Sequence, residues 1–349
     1  MKKNLVVIGY GGMGGGFHCK NALKSDVVSL AGIYDIDEEK AKKAEANGIR
    51  AYQSLDEVLA DPTVDIVTVA VPNDSHKEIV IRSLMAGKNV ICEKPVAMSC
   101  DELEEMIAAS EKSGKLFTVH QNRRFDVDYL AIKEIVEKNM LGAPLRIESR
   151  IHGSRGIPSD WRGEQEHGGG MILDWGVHLI DQLLQIFKKK VVRIHCENTH
   201  ITNNEVDDGF YLTITFEGGA VAFIEVGTYN FISLPRFYMK AKNGTAIITD
   251  WREETQCIRC KHWHESEVVP VETAAGLTKT MAPRDSITVD EFRVPRPVSD
   301  VHDFYRNFCL AIDGKATQLV THPEMRRVMR VMEAAFESDR LGQTVNVEI

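Results

Sequence analysis

Gly9-Tyr10-Gly11-Gly12-Met13-Gly14 follows directly on the apolar run Leu5 to Ile8, and this junction decides the fold. A G-x-G-x-x-G between a strand and a helix is the fingerprint of a dinucleotide-binding βαβ unit. Gly9 makes the tight turn, Gly11 lets the backbone approach a pyrophosphate, and Gly14 allows the helix to pack closely; Gly12 and Met13 complete the loop. The helix that follows offers free N–H groups and the positive end of its dipole to the anion. Asp35 stands 21 positions after Gly14, at the end of the next apolar run. There a carboxylate accepts hydrogen bonds from both ribose hydroxyls and repels a 2′-phosphate, so NAD is favoured over NADP. Gly15 and Gly16 extend the glycine run and leave the helix start open.

Working outward, short apolar runs at Leu5 to Ile8, Val27 to Tyr34, Ile66 to Val71, Asn89 to Cys92 and Leu116 to His120 alternate with amphipathic segments. This is the rhythm of a doubly wound parallel sheet, an N-terminal Rossmann domain over residues 1–122. Ser54 with Glu57 and Ser99 with Glu102 match the capping box that opens a helix, and Gly114 matches a helix stop. Beyond residue 122 the pattern changes to β-branched and aromatic stretches at Leu145 to Ile151, Phe210 to Phe216, Val221 to Val226, Phe237 to Lys242 and Thr245 to Thr249. Glu217-Gly218-Gly219 and Asn243-Gly244 read as hairpin turns. The expectation for residues 123–349 is therefore an α+β domain on a large, mainly antiparallel open sheet. One helix, about Gly170 to Phe187, interrupts it, and two more close the chain, the last opened by Thr321 with Glu324. Glu253 to Pro297 is the least readable stretch.

The 349 residues, 43% hydrophobic and 27% charged, exclude a disordered or fibrous chain. A net charge of −9 argues against a nucleic-acid partner. No apolar run approaches the roughly 18 residues of a membrane helix, and the N-terminus lacks a signal-peptide core. Seven thinly spread cysteines fit reduced thiols in a cytoplasmic protein.

Glu93-Lys94-Pro95 ends the Asn89 to Cys92 strand, and ligands of open α/β sheets lie outside the carboxyl ends of the strands. Lys94 is thus expected beside the cofactor, with a lowered pKa and a role in proton transfer; the alternative is a surface lysine. Gly168-Gly169-Gly170 precedes Asp174 and His178, which sit at i and i+4 of the expected helix. On one face, carboxylate and imidazole suit proton transfer at a carbinol while hydride leaves its carbon. A helix-surface ion pair is the competing reading.

These residues together resemble the glucose-fructose oxidoreductase / inositol dehydrogenase / rhizopine catabolism (Gfo/Idh/MocA) family of sugar and polyol dehydrogenases, over essentially the whole chain. The resemblance rests on Gly9 to Gly14, Pro72-Asn73 with His76, Glu93-Lys94-Pro95, Asn122-Arg123-Arg124-Phe125, Trp161-Arg162, and Gly169-Gly170 with Asp174 and His178. It implies Lys94, Asp174 and His178 as the catalytic set, and Pro72, Asn73, His76, Trp161 and Arg162 as cofactor-lining residues. Glu93 and Lys94 also count among the expected cofactor contacts. The family often places a histidine three positions after the last glycine, where this chain has Phe17; His18 follows one place later and is not carried over.

In the same reading the substrate lies between the nicotinamide and the antiparallel sheet. His152 and Arg155 are then substrate contacts alongside Lys94, Asp174 and His178, unless they are surface loop residues. Cys257, Cys260, His262 and His264 offer zinc-ligand chemistry, but their spacing is too compressed, and no metal is expected. The expected activity is NAD-dependent oxidation of a secondary hydroxyl of a sugar, a glycoside at C3, or a cyclitol. A redox-neutral glycoside hydrolase or lyase and a non-catalytic dinucleotide-binding regulator are the alternatives. A homodimer or homotetramer is expected because one face of the open sheet is left to cover.

Overall fold

The computed structural model describes residues 2–261, 270–279 and 281–349. Five parallel strands, β1 (Lys3–Ile8), β2 (Val28–Tyr34), β3 (Ile66–Val69), β4 (Asn89–Cys92) and β5 (Phe117–Val119), form one sheet in the order β2-β1-β3-β4-β5. Ala51 adds a single parallel bridge to Ile33 beyond β2. Strands β3, β4 and β5 are buried at every residue, which is why they read as continuous apolar runs.

The connecting helices are α1 (Lys20–Leu23), α2 (Glu38–Ala46), α3 (Leu55–Ala60), α4 (His76–Met85) and α5 (Cys100–Ser113). Ser54 and Ser99 accept from the main-chain N–H of Glu57 (3.1 Å) and Glu102 (3.2 Å), as the sequence implied. The glutamates reach one residue further back than a capping box requires, to the N–H of Gln53 and Met98. Gly114 ends α5 in the left-handed conformation, φ 66°.

After α6 (Val127–Glu137) comes a nine-stranded sheet. Its strands are β6 (Pro144–His152), β7 (Val191–Thr199), β8 (Gly209–Phe216), β9 (Val221–Gly227), β10 (Phe237–Ala241), β11 (Gly244–Ile248) and β12 (Thr255–Cys260). A small separate hairpin, β13 (Val271–Thr273) and β14 (Gly276–Thr278), is followed by β15 (Val289–Val294) and β16 (Val345–Asn346). The order is β15-β12-β11-β10-β6-β9-β8-β7-β16, with β6 and β9 parallel and the other neighbours antiparallel. Helices α7 (Val177–Ile186) and α9 (His322–Leu341) bury apolar stripes among the core residues. Thr321 and Glu324 form the complete capping box at the start of α9.

Three long strands escaped the sequence reading. A bulge between Val191 and Arg193 breaks the alternation of β7, and its outward Arg193 and Glu197 dilute the apolar signal. Strands β12 and β15 fall in the stretch from Glu253 to Pro297. Cys257 lies in the core at 0% exposure, while Cys260, three residues on, is half-buried on the other side of the strand. His262 and His264 lie outside the described residues.

Helix α8 (Asp303–Ile312) returns to the parallel sheet, where Lys3 pairs with Asp313 (2.7 Å) and Arg306 with Asp26 (3.0 Å). Among the described residues no helix is long and apolar enough to cross a membrane.

Candidate active site

A cleft of about 980 Å³ opens at the carboxyl ends of the parallel strands. Its centre is the glycine loop. Gly9 has φ 93°, and a Cβ there would meet the Ala70 carbonyl oxygen at 2.3 Å; one on Gly14 would meet the Gly9 oxygen at 1.9 Å. Around Gly11 and Gly12 a Cβ would find nothing within 4 Å, and both line the cleft beside Met13. The first pair is therefore needed for packing, and the second leaves open space where a pyrophosphate would lie.

At one end Asp35 accepts from the N–H of Tyr10 (2.6 Å, Oδ2) and of Asp37 (2.9 Å, Oδ1), which fixes the carboxylate. Each oxygen keeps a second lone pair for a ribose hydroxyl. Lys40 stands 3.8 Å from Asp35, the only charged neighbour on that wall that an ion pair ties to it among the described residues.

Along the far wall run Pro72 and Asn73. Asn73 is buried, and its amide donates to the Gly168 carbonyl (2.9 Å), joining this loop to the glycines ahead of Asp174. His76 was expected to line the cofactor, and here the structure differs. The ring is fully buried between the carbonyls of Pro95 (2.9 Å) and Val71 (3.0 Å), clamping together the loops that follow β3 and β4.

The other end brings together residues 80 positions apart. Lys94 Nζ donates to Asp174 Oδ1 (2.7 Å) and to the Asp174 carbonyl (2.9 Å). Arg162, next to Trp161, approaches Asp174 Oδ2 at 3.6 Å. Burial works against the Asp174 charge, but Lys94 and Arg162 outweigh it and hold the carboxyl below its ordinary value. His178 does not pair with Asp174: its Nδ1 faces Gln121 Oε1 at 3.3 Å. With that proton donated to Gln121, the lone pair rests on Nε2. Burial first, then the charges of Lys94 and Arg123, hold His178 well below the usual imidazole value, so the ring is neutral.

The helix carrying this end is positioned by its entry. Residues Ile172–Gly176 form a π-turn, in which the Val177 N–H reaches the Ile172 carbonyl, before α7 begins. The buried Asp207 carboxylate caps it by accepting from the Ile172 N–H (2.8 Å), and burial raises its pKa to about 7. Arg124 forks onto Asp181 of α7 (2.8 and 2.6 Å), and the Gln182 amide donates to the Arg123 carbonyl (2.7 Å). These bonds lock the Asn122–Phe125 turn, and with it Gln121 and Arg123, against α7.

His152 and Arg155 do not line this cleft. Strand β6 alternates, so Ile147, Ser149 and Ile151 point into the core and His152 to the opposite face. There His152 lies 3.1 Å from Glu225 and accepts from the Leu234 N–H, while Arg155 is exposed in the loop beyond. Other residues to which the sequence reading gave no role lie at this end. Trp175 and Arg123 line the cleft, with the Arg123 guanidinium 4.8 Å from the Trp175 ring centre, and Gln121 stands behind His178. Asp207 and Gln121 carry no local motif. His18, to which the sequence reading gave no role, also enters: the Gly14–Cys19 segment is itself a π-turn, with the His18 N–H bonded to the Met13 carbonyl (2.9 Å), and it turns His18 inward against Glu93.

Known proteins resemble this chain in sequence and in fold. Residues 3–121 match the family model described as "Oxidoreductase family, NAD-binding Rossmann fold", and residues 129–247 match the GFO/IDH/MocA C-terminal domain. The chain is 27% identical over 345 residues to the scyllo-inositol 2-dehydrogenase (NADP(+)) IolW of Bacillus subtilis, covering 98% of this chain and 95% of that one. It is 40% identical over 154 residues to the uncharacterized oxidoreductase C115.03 of Schizosaccharomyces pombe, a match that spans 44% of this chain and only 42% of the relative. A crystal structure of an NAD-binding protein from Listeria innocua superimposes with a TM-score of 0.95 at 43% identity, covering 99% of each chain. With a glycine loop shaped for a dinucleotide, a Lys94–Asp174 pair lining the same cleft and both family models matched, this chain belongs to the Gfo/Idh/MocA family of NAD-binding oxidoreductases.

Proposed function

We propose that the protein transfers hydride between NAD and a secondary hydroxyl of a sugar, a glycoside (at C3) or a cyclitol. One observation carries this reading: a neutral, buried His178 with its Nε2 lone pair available shares the cleft with the Lys94–Asp174 pair. In oxidation His178 accepts the hydroxyl proton, and in reduction it returns it. Lys94 donates a hydrogen bond to the carbinol oxygen as negative charge develops there, and Asp174 holds the ammonium in place. The N–H groups of the Gly11–Gly12 loop, Asp35, Pro72, Asn73, Trp161 and Arg162 would hold the dinucleotide. When bound, NAD supplies the hydride acceptor.

We read residues 1–122 as the cofactor domain and 123–349 as the substrate and assembly domain, in a cytoplasmic homodimer or homotetramer. Light scattering returning a 39.1 kDa particle at micromolar concentration would contradict it.

The activity is tested by mass spectrometry of the as-purified protein for bound nucleotide, then by a panel of sugars, glycosides and cyclitols monitored for NADH. Stoichiometric NADH with one class supports the proposal. Substrate cleavage without net NADH would identify a redox-neutral hydrolase or lyase, and cofactor binding with no turnover a regulator.

A further inference from the structure

Glu93 forms the floor of the cleft at its Lys94 end and is 4% exposed. Its Oε1 accepts from two imidazoles, His18 Nε2 at 2.7 Å and His120 Nδ1 at 2.8 Å, and its Oε2 accepts from the Lys94 N–H at 3.2 Å. The tautomers follow from these bonds. With the proton of His18 on Nε2, its Nδ1 accepts from the Tyr305 hydroxyl (2.5 Å). His120 Nδ1 is the nitrogen that meets Glu93, and its Nε2 is buried and meets no hydrogen-bond partner. The two rings lie 4.7 Å apart, and His120 packs edge-on against Phe304 at 4.8 Å.

Glu93 is therefore a buried anion held by hydrogen bonds from imidazoles. Burial holds His18 neutral, and the electrostatic attraction of His120 first, then the bonds from His120 and His18, outweigh the burial of Glu93 and keep it ionised. Among the described residues no ammonium or guanidinium pairs with it, and its ion-pair partners are the two imidazoles, which carry charge only when protonated. The cations nearby have other partners: Lys94 has Asp174, Arg162 has Asp160, and Arg123 has Asp126. Burying a charge without a permanently charged partner is costly. A cation that comes and goes with the ligand would offset that cost. The nicotinamide ring is one in its oxidised form only, because hydride, a proton with two electrons, takes it from a charge of +1 to neutral.

We propose that Glu93 sets which oxidation state of the cofactor the cleft prefers, its carboxylate favouring the cationic ring, with His18 and His120 as positioning residues that hold that carboxylate. The inference rests on reading the Lys94 end as the nicotinamide end. It gives the enzyme a reason to release cofactor after oxidising an alcohol, since the reduced ring no longer offsets the anion.

The test is calorimetric titration of nucleotide-free protein with NAD and with NADH, no sugar present, so it does not depend on which alcohol is oxidised. Wild type should bind NAD more tightly than NADH. Glu93→Gln should lower the ratio Kd(NADH)/Kd(NAD) by about tenfold, equal to about 30 mV in the two-electron potential of the bound cofactor. Tyr305→Phe, which leaves the carboxylate charged, should keep the ratio within about twofold. An unchanged ratio in Glu93→Gln, or equal weakening of both ligands, would overturn the inference and leave the cofactor site standing. Tighter binding of NADH by wild type overturns it even where Glu93→Gln fails to fold. Failure of both nucleotides to bind would remove the cofactor site and the inference together.

Discussion

Lys94 Nζ donates to both the carboxylate and the main-chain carbonyl of Asp174, at 2.7 and 2.9 Å, so the helix entry and the loop after β4 are tied at one residue pair. Asp174 is thus the counter-ion of Lys94 rather than the orienting partner of His178. Lys94→Ala should lower turnover by about 10² to 10⁴ and weaken cofactor binding. Asp174→Asn should cost less, and the double variant should lose little beyond Lys94→Ala, because the two side chains act as a unit. Additive losses in a double-mutant cycle of kcat/KM would contradict the pairing.

His178→Ala should lower turnover by about 10² to 10⁴ while NAD affinity, measured by titration, changes little. Full turnover in this variant on a sugar that wild type oxidises would falsify the assignment.

Acid sensitivity follows from three buried imidazoles. His18, His76 and His178 have lowered pKa values, in each case through burial first. Between those values and about 6.5 the unfolded chain binds more protons than the native protein, so stability is present above about pH 6.5 and is lost as pH falls below it. Each group contributes up to about 1.4 kcal/mol per pH unit in that window. Asp207, raised to about 7, and Asp126, raised to about 6, gain protons in the fold over the same range and offset part of this loss, so Tm recorded from pH 7 to pH 5 should fall on balance, and less steeply in His178→Gln. A flat profile would mean that these rings are protonated in the folded state.

Glycines of one loop should separate into two kinds. Gly14→Ala puts a methyl 1.9 Å from the Gly9 oxygen and should destabilise the fold by about 3 kcal/mol or more. Gly11→Ala meets nothing, so Tm should hold while the methyl occupies cofactor space and NAD affinity drops at least about tenfold. Denaturation curves and NAD titrations of both variants check the contrast.

Cofactor choice should depend on Asp35. NAD should bind at least about tenfold more tightly than NADP, roughly 1.4 kcal/mol. Asp35→Ser should narrow the gap by removing the charge that opposes a 2′-phosphate. Identical wild-type titration curves for the two nucleotides would end this claim.

Features set by neighbours along the chain were legible from residue order. The strand, loop and helix around Gly9 to Gly14, the placing of Asp35, the caps at Ser54 and Ser99 and the run of buried parallel strands depend on short-range backbone geometry and on hydrophobic period. Lys94, Asp174 and His178 were legible through their motifs, but their partners were not. Alternation along β6 turned His152 away from the cleft, and two π-turns, each adding one residue to a helical turn, set the inward direction of His18 and the entry to α7. The bulge in β7 hid a nine-residue strand. The hydrogen bond from Tyr305 to His18 spans 287 positions. Tertiary structure alone decided these features, because a buried polar group takes whatever donor or acceptor packing brings within about 3 Å, and nothing local in the chain specifies that partner.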